Sequence, residues 1–489
     1  MDTEKIIKAL GIKSGSVSQI QSKVREWNEW YQGNVKNFHD YTVFTGRRSV
    51  NRNRASLNMG KTVSETYADL LLNEKVEFTI TGENEEGIMQ TLEDNKFWTK
   101  GNQLIELAFA LGTGAFVLGF DDITVSESGT VDFEDSKVAI RYMKASDIFP
   151  IEYTGEEVTK IAFRTFKNLP VGGKVKEFSL FTIFEKLHDD SQDTFCWVIT
   201  NRLYDERGTQ VELQEYLPLV AEGFRLDIEC PPFALIRPNV VNTIDTTSPY
   251  GMSIFADSVD VLKEIDTVFD SLTNEFSLGK KRIFIDEKAL TFDEETGQPR
   301  FDDNDLVFYT LGGLIGDEES KVRESIQESD FTLRIEEHVK GLKLGLDTLS
   351  RKTGLGGDYF SYDNKGAVTA TEVVSRNSAL FRSISKHSIL LREELEALIF
   401  SINAMLNLAN GTSYDVDVVI DFDDSVIEDQ GAIEERALVE LNSEVIDLHE
   451  YLKITRGFTD EMAKEFIDNM EARKRGEGTE EEFGDGTEI

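Results

Sequence analysis

From Ser325 to Asn410 the sequence is patterned as a helix, a loop and a longer helix, and this pattern restricts the fold more than any other stretch. Phe331, Ile335, Val339, Leu342, Leu346 and Leu349 recur at alternating steps of four and three, one face of an amphipathic helix. Ser325 with Glu328 reads as a capping box at its start, and Arg351-Lys352 followed by Gly354, Gly356 and Gly357 reads as its end. A second box, Thr369 with Glu372, restarts the helix. Val373, Leu380, Ile384, Leu391, Leu395, Leu398, Ile402 and Met405 then carry an apolar stripe to about Ala409. Such a helix has about 40 residues and spans roughly 60 Å. A helix of that length needs a long partner, a kink or a subunit interface to cover its stripe. Taken alone, the stretch also describes a helical hairpin with an exposed turn.

The first of these helices places Leu333 and Leu344 opposite its stripe, among Glu337, Lys340, Asp347 and Arg351. Two contacting faces suit a helix packed between neighbours. Gly341 and Gly345 lie one turn apart, each costing roughly 1 kcal/mol in helix propensity, which implies close approach of another helix.

Composition narrows the function classes. Lys and Arg number 52 against 91 Asp and Glu, a formal charge of −39. That surface repels a nucleic-acid backbone, so an ordinary DNA-binding protein is excluded. The two cysteines, Cys196 and Cys230, are too few for a disulfide framework and fit a reducing compartment. No apolar run approaches the roughly 18 residues of a membrane span, and the start lacks the apolar core of a signal peptide, so assembly in the cytoplasm is expected.

In chain order, residues 1–40 read as a helical arm ending in Trp27-Asn-Glu-Trp-Tyr-Gln-Gly33, and Val63, Tyr67 and Leu70 as a helix followed by a strand over Val76–Ile80. Met59-Gly-Lys-Thr62 lacks the earlier glycine and apolar strand of a phosphate loop. Phe97, Leu104, Leu107 and Leu111 predict a helix closing on Gly112-Thr-Gly114, then a strand over Ala115–Phe120. These glycines follow a helix rather than a strand, so they are turn residues and not a dinucleotide fingerprint. Further strands are expected over Val138–Met143, Val158–Phe166, Phe178–Leu187, Phe195–Leu203 and Phe233–Ile236. Ser253 caps a helix marked by Phe255, Leu262, Ile265, Phe269, Leu272 and Phe276, with Gly279 as its C-cap. Strands over Arg282–Ile285 and Leu306–Tyr309 enclose an acidic turn, Tyr414–Phe422 is a strand, and helices follow from about Ala432 to Lys474. Helix, strands and then long helices argue for an α+β fold.

Several stretches carry a family resemblance. The Trp27–Gly33 cluster, Tyr142-Met-Lys-Ala-Ser-Asp-Ile-Phe-Pro-Ile151, Pro232-Phe-Ala-Leu-Ile-Arg-Pro238, Ser248-Pro-Tyr-Gly-Met-Ser253 and the loop between the two long helices resemble portal proteins of tailed bacteriophages, in the siphophage-type branch. The resemblance covers roughly residues 25–474. It implies a ring-forming portal fold with wing, helical stem, small α/β clip, long kinked helix and helical crown. Its divisions would be an N-terminal arm (1–40), wing (41–252), descending stem helix (253–279), clip (280–324), ascending stem helix (325–353), tunnel loop (354–367), long wing helix and strand (368–424), crown (425–474) and a disordered acidic tail (475–489).

Through the resemblance, Gly356, Gly357, Asp358, Tyr359, Phe360, Ser361, Tyr362, Asp363, Asn364 and Lys365 would line the channel, with Lys340, Lys343 and Asp347 as stem candidates for its wall. Lys340, Lys343 and Lys365 relieve charge repulsion on that reading, and are ordinary surface charges otherwise. The implied assembly is a dodecamer at one capsid vertex of the virion. It serves genome packaging and ejection, docking the terminase large subunit, the head-to-tail connector, and major capsid and scaffold proteins. Double-stranded DNA passes without sequence-specific binding, and no membrane is involved. The alternative is a helical scaffold or minor coat protein without a channel.

No catalytic site is expected. His39, His188, His338, His387 and His449 show no metal-ligand spacing, and neither a nucleophile elbow nor a zinc-protease motif occurs. Asp302–Asp305 and Asp421–Asp424 lack the glycine and terminal Glu of a calcium loop and read as solvated turns. No cofactor is expected.

Overall fold

The structure is a computed structural model that describes residues 6, 9–11, 14–44, 48–73, 76–121, 124–125, 131–132, 136–155, 157–190, 193–217, 219, 221, 223–278, 282–286, 308–311, 326–329, 332–361, 370–422, 430–443, 445–456, 458, 462–464, 466–467 and 470. Gly279, the Thr369 box and the acidic tail lie outside the described residues, as does the Asp302–Asp305 turn.

Helix α1 (Ser14–Tyr31) buries Val17, Ile20, Val24, Trp27 and Trp30, spaced by three and four. Val17 joins Ile6, Leu10, Phe149, Phe181 and Tyr204 in a small cluster, while the others enter the main core. Gly33 turns the chain at φ 65°, where a Cβ would lie 2.9 Å from Asn58 Oδ1. A hairpin of Asp40–Phe44 and Ser49–Asn53 follows. Arg54 stacks over Phe38 at 4.1 Å from its centroid, which gives this arginine a structural role.

Three helices then pack together: α2 (Met59–Leu71), α3 (Glu85–Asp94) and α4 (Phe97–Leu111). Helix α4 ends at Gly112, with φ 88°. A Cβ on Gly112 would lie 2.7 Å from the Gly251 carbonyl oxygen, so the chain crosses itself here only because Gly112 has no side chain. The Gly251 N–H donates to Thr113 Oγ1 at 3.0 Å, and the Ile254 N–H to the Phe109 carbonyl at 2.9 Å. This crossing seats the Ser248–Ser253 segment.

Strands Phe233–Ile236, Gly114–Asp121 and Lys137–Lys144 form a three-stranded antiparallel sheet. A second, six-stranded sheet runs in the order Gln210–Val211, Thr194–Tyr204, Lys174–Asp189, Glu157–Val171, Ile148–Thr154, with Phe224–Leu226 on Thr194–Tyr204. Its central hairpin is longer than periodicity predicts. Val171 pairs with Lys174, and Gly172 and Gly173, both at positive φ, make the two-residue turn.

Helices α5 (Val259–Leu278) and α6 (Ile335–Lys352) lie antiparallel in one continuous register. Arg334 Nη2 meets Glu275 Oε2 at 3.0 Å, the Ser271 hydroxyl and His338 Nε2 lie 2.9 Å apart, and Lys352 reaches the Asp257 carbonyl. Between these contacts, a Cβ on Gly341 would sit 3.6 Å from Val268 Cγ1 and one on Gly345 2.8 Å from Ile265 Cγ1. The close approach expected of the two glycines is made by α5.

Two local expectations change. Ile326–Ser329 is a strand paired with Arg282–Asp286, so Glu328 is not in a capping box and α6 begins at Ile335, with Glu336 and Glu337 in its first turn. Ser253 precedes a 3-10 turn, Ala256–Ser258, and its hydroxyl accepts from the Phe255 N–H at 3.3 Å rather than capping α5. Arg282–Asp286 also pairs in parallel with Phe308–Leu311, which no tight turn can connect.

Helix α7 (Ala370–Asn410) has 41 residues and buries Leu380, Ile384, Leu391, Leu395, Leu398, Ile402 and Met405, its predicted stripe. Its last turns are held by Asn84 Nδ2, which donates to Asn403 Oδ1 at 2.6 Å, and by Asn403 and Asn407 donating to the Tyr414 carbonyl. That clasp sets strand Val416–Asp421 beside Glu77–Gly82, joining the two ends of the fold. Helices α8 (Gln430–Asn442) and α9 (Leu448–Arg456) follow. Among the described residues, no helix is long and apolar enough to cross a membrane.

Candidate functional site

The loop between α6 and α7 begins from a fixed point. Leu349 is the last full apolar anchor of α6, and Gly354 takes the left-handed conformation at φ 86°. The Leu355 N–H donates to the Ser350 carbonyl at 2.9 Å and the Gly354 N–H to the Arg351 carbonyl at 3.2 Å. This is the paired bonding of a Schellman motif, and Leu355, 2% exposed, adds its apolar contact. Gly354 thus ends the helix, and Gly356, with φ 105°, is the first glycine beyond the cap.

Beyond that point the chain folds back on the helix end. The Phe360 N–H donates to Ser350 Oγ at 3.4 Å, and Ser350 is fully buried, its hydroxyl donating to the Leu346 carbonyl at 2.8 Å. Phe360 packs against the main core and edge-on to Tyr359 at 5.1 Å. Tyr359 lies toward Thr66 and Asp69 of α2, and burial, then the Asp69 charge, raises its phenol above the ordinary value. Ser361 donates its N–H to the Asp358 carbonyl at 3.1 Å, and Gly357 leaves room for the Arg351 guanidinium, 3.1 Å from where a Cβ would be. Gly356 to Ser361 are therefore gathered at the end of α6, whereas Tyr362, Asp363, Asn364 and Lys365 lie outside the described residues.

The stem candidates lie on α6 itself. Lys340 is exposed and meets Glu336 at 3.7 Å, an exposed pair worth roughly 0–1 kcal/mol. Lys343 is half-buried. Asp347 is half-buried, with Oδ1 shielded from solvent and without a hydrogen-bond partner among the described residues.

Apolar residues remain open along the two-helix hairpin and α7. Phe276 is 52% exposed, Val339 51% and Leu344 63%, so Val339 belongs to the predicted stripe but α5 does not cover it. Ile389 and Phe400 are exposed on α7.

Sequence reasoning missed the residues around the loop base. Periodicity marks Tyr67 only as a helix position, and His387 only as one of five scattered histidines. His387 is buried, accepts the Asn239 N–H on Nδ1 at 2.9 Å, and is pushed down to about 3 by burial and by neighbouring Lys386. A small cavity of about 220 Å³ adjoins it, lined in part by Arg351, Thr353, Gly354, Ser383 and Lys386. The one available signal was that a buried tyrosine needs a partner for its hydroxyl.

Comparison with known proteins bears on the whole chain. Among solved structures, the chain is similar to one from the virion of a native gene transfer agent particle, at 10% identity and TM-score 0.37, covering 82% of this chain and 88% of that one. It is similar also to one from the neck of a native gene transfer agent particle computed with C12 symmetry, at 10% identity and TM-score 0.37, covering 81% and 88%. No curated protein matches the chain. The family description "Phage portal protein, SPP1 Gp6-like" matches residues 16–479, nearly the full length, and the chain therefore belongs to the SPP1 Gp6-like phage portal protein family.

Proposed function

We propose that this chain forms the ring at one capsid vertex through which double-stranded DNA is packaged and ejected, and that it has no catalytic activity of its own. The observation that carries this reading is the portal family match over residues 16–479. In the ring, α5 and α6 form the stem, strands Arg282–Asp286, Phe308–Leu311 and Ile326–Ser329 belong to the clip, and α8 and α9 to the crown. Residues 356–365 line the channel, with Lys340, Lys343 and Asp347 on its wall.

One feature of the subunit supports assembly. Phe276, Val339 and Leu344 leave apolar surface along both stem helices, which neighbouring copies would cover in a heterologous closed ring. Twelve copies is the number we propose. The ring docks the terminase large subunit, then a head-to-tail connector, and sits among major capsid and scaffold proteins. The charge of −39 suits passage: an acidic wall repels the duplex from all sides and leaves it free to slide.

Mass photometry and averaged electron micrographs of the purified chain test the ring, with a stable monomer at physiological salt as the refuting result. A ring whose lumen is too narrow for a duplex would favour a scaffold or minor coat role. Deleting Tyr359–Asn364 is expected to leave the ring assembled and to impair packaging or retention of the genome. Isolated rings are expected to retain no linear duplex in a gel shift at about 150 mM salt, where a specific binder reaches roughly 10⁻⁸ M or tighter.

A further inference from the structure

We infer that Tyr67 is the positioning residue for the channel loop, holding the loop's point of departure against the N-terminal helical layer through one hydroxyl. Tyr67 lies on α2, fully buried, yet its Oη is 2.5 Å from the Thr353 carbonyl and 2.7 Å from Ser383 Oγ. A carbonyl only accepts, so Tyr67 donates to Thr353 and the Ser383 hydroxyl donates to Tyr67. Three elements distant in sequence thereby meet at one oxygen atom: α2, the end of α6 and α7.

The Thr353 carbonyl is one of those left unpaired at a helix end. The Schellman cap uses the carbonyls of Ser350 and Arg351 and leaves that of Thr353 to a side chain. Gly354 follows at once, and a Cβ there would lie 2.6 Å from Ser383 Oγ and 3.3 Å from Tyr67 Oη. The phenol, the cap and α7 are thus in contact with no spare room. The ring of Tyr67 is itself fixed, stacked on Phe109 at 5.1 Å and edge-on to His387 at 5.2 Å. Burial raises the phenol to about 12, so it remains a donor throughout the physiological range.

A donor with a fixed direction, on a helix packed in the main core, sets where the loop leaves the stem. Tyr359 lies toward Thr66 and Asp69 of the same helix. A displacement of α2 relative to the end of α6 breaks the hydroxyl contact and releases the Thr353 carbonyl. The inference rests on the channel-loop reading only for its functional meaning; the anchorage itself is a property of the single chain.

Hydrogen exchange by mass spectrometry on the full chain, as Tyr67→Phe and as Ser383→Ala, is the test. Tyr67→Phe keeps the Phe109 and His387 packing and removes only the hydroxyl, with both of its hydrogen bonds. Exchange across 354–361 is expected to rise about tenfold, the size of one lost hydrogen bond, while α4 and the six-stranded sheet keep wild-type protection. Ser383→Ala should move the same amides in the same direction. Unchanged exchange at 354–361 in folded Tyr67→Phe overturns the inference, as does a uniform rise over α2, α4 and α7, which would make Tyr67 a core side chain and nothing more. Should Tyr67→Phe fail to fold, Ser383→Ala decides alone, and no change at 354–361 overturns the inference. Because this readout needs neither a ring nor DNA, its failure is distinct from failure of the channel reading, which ring imaging and the loop deletion address.

Discussion

Gly341 and Gly345 sit one turn apart on α6 and face the same partner, α5, yet alanine at the two positions should act with opposite sign. Either replacement gains up to about 1 kcal/mol in helix propensity, so that contribution cancels in the comparison. At Gly341 the new Cβ lies 3.6 Å from Val268 Cγ1, an ordinary contact, and Gly341→Ala should stabilise the hairpin by about 0.5–1 kcal/mol. At Gly345 it lies 2.8 Å from Ile265 Cγ1, inside any real carbon contact. Ile265 is 1% exposed and β-branched, so it has little rotamer freedom with which to withdraw. Overpacking of this kind costs about 1–3 kcal/mol, and Gly345→Ala should come out neutral to about 2 kcal/mol destabilising. The two variants should therefore differ by about 1–3 kcal/mol, or roughly five- to 150-fold in the exchange of α5 and α6 amides. Native-state exchange is the suitable assay, because a chain of 489 residues need not unfold in one step. If both variants shift protection equally and in the same direction, the helices do not close on Gly345, and the register described for the hairpin is wrong.

His387 makes the region acid-sensitive. Its folded value of about 3 lies below the ordinary 6.5, so the neutral ring is the folded form. Its stabilising effect is complete above pH 6.5 and is lost as pH falls toward 3, with a ceiling of about 2 kcal/mol already gone at pH 5. Exchange corrected for intrinsic rates should show protection around His387 flat above pH 6.5 and declining below it; a flat profile to pH 4 would contradict the burial argument. Gly354→Ala places a Cβ at φ 86° and 2.6 Å from Ser383 Oγ, which should cost about 1–2 kcal/mol for the backbone alone and raise exchange at 354–361. Leu355→Ala removes the apolar contact of the cap at a site 2% exposed; a loss of about 2–5 kcal/mol is expected, read as increased proteolysis within the loop with the six-stranded sheet still protected.

Legibility in the sequence followed the range of the interactions. The stripe of α7 is periodic over its whole length, and every described member of it is buried, because burial on a long helix depends only on spacing. Strand Phe233–Ile236 matched its predicted bounds, since four apolar residues between prolines permit little else. The hairpin turn at Gly172-Gly173 lies between the expected strands Val158–Phe166 and Phe178–Leu187, and the pairing runs on past both to Val171 and Lys174, with Pro170 opposite Val175. Ser325 with Glu328 does not cap a helix. A capping box is a local pattern, and strand Arg282–Asp286, over forty residues away, claims Ile326–Ser329 instead.

The loop base was illegible for the reason that makes it informative. Its first glycines could be read as a helix stop, and the Schellman pattern follows from Gly354 and Leu355 alone. What fixes the stop in space is Tyr67, 286 positions from Thr353 and 316 from Ser383, and no periodicity links those three residues. On α2, Tyr67 follows Val63 by four and fits an apolar stripe as well as phenylalanine would. The hydroxyl is the residue's whole contribution to the joint, and a pattern that classes residues as apolar or polar cannot register it. A buried phenol whose partner is absent from its own helix is therefore a better pointer to a mechanical joint than any exposed charge in this chain. Lys340 illustrates the contrast: its charge singles it out, and among the described residues its ion pair is with Glu336, one turn earlier.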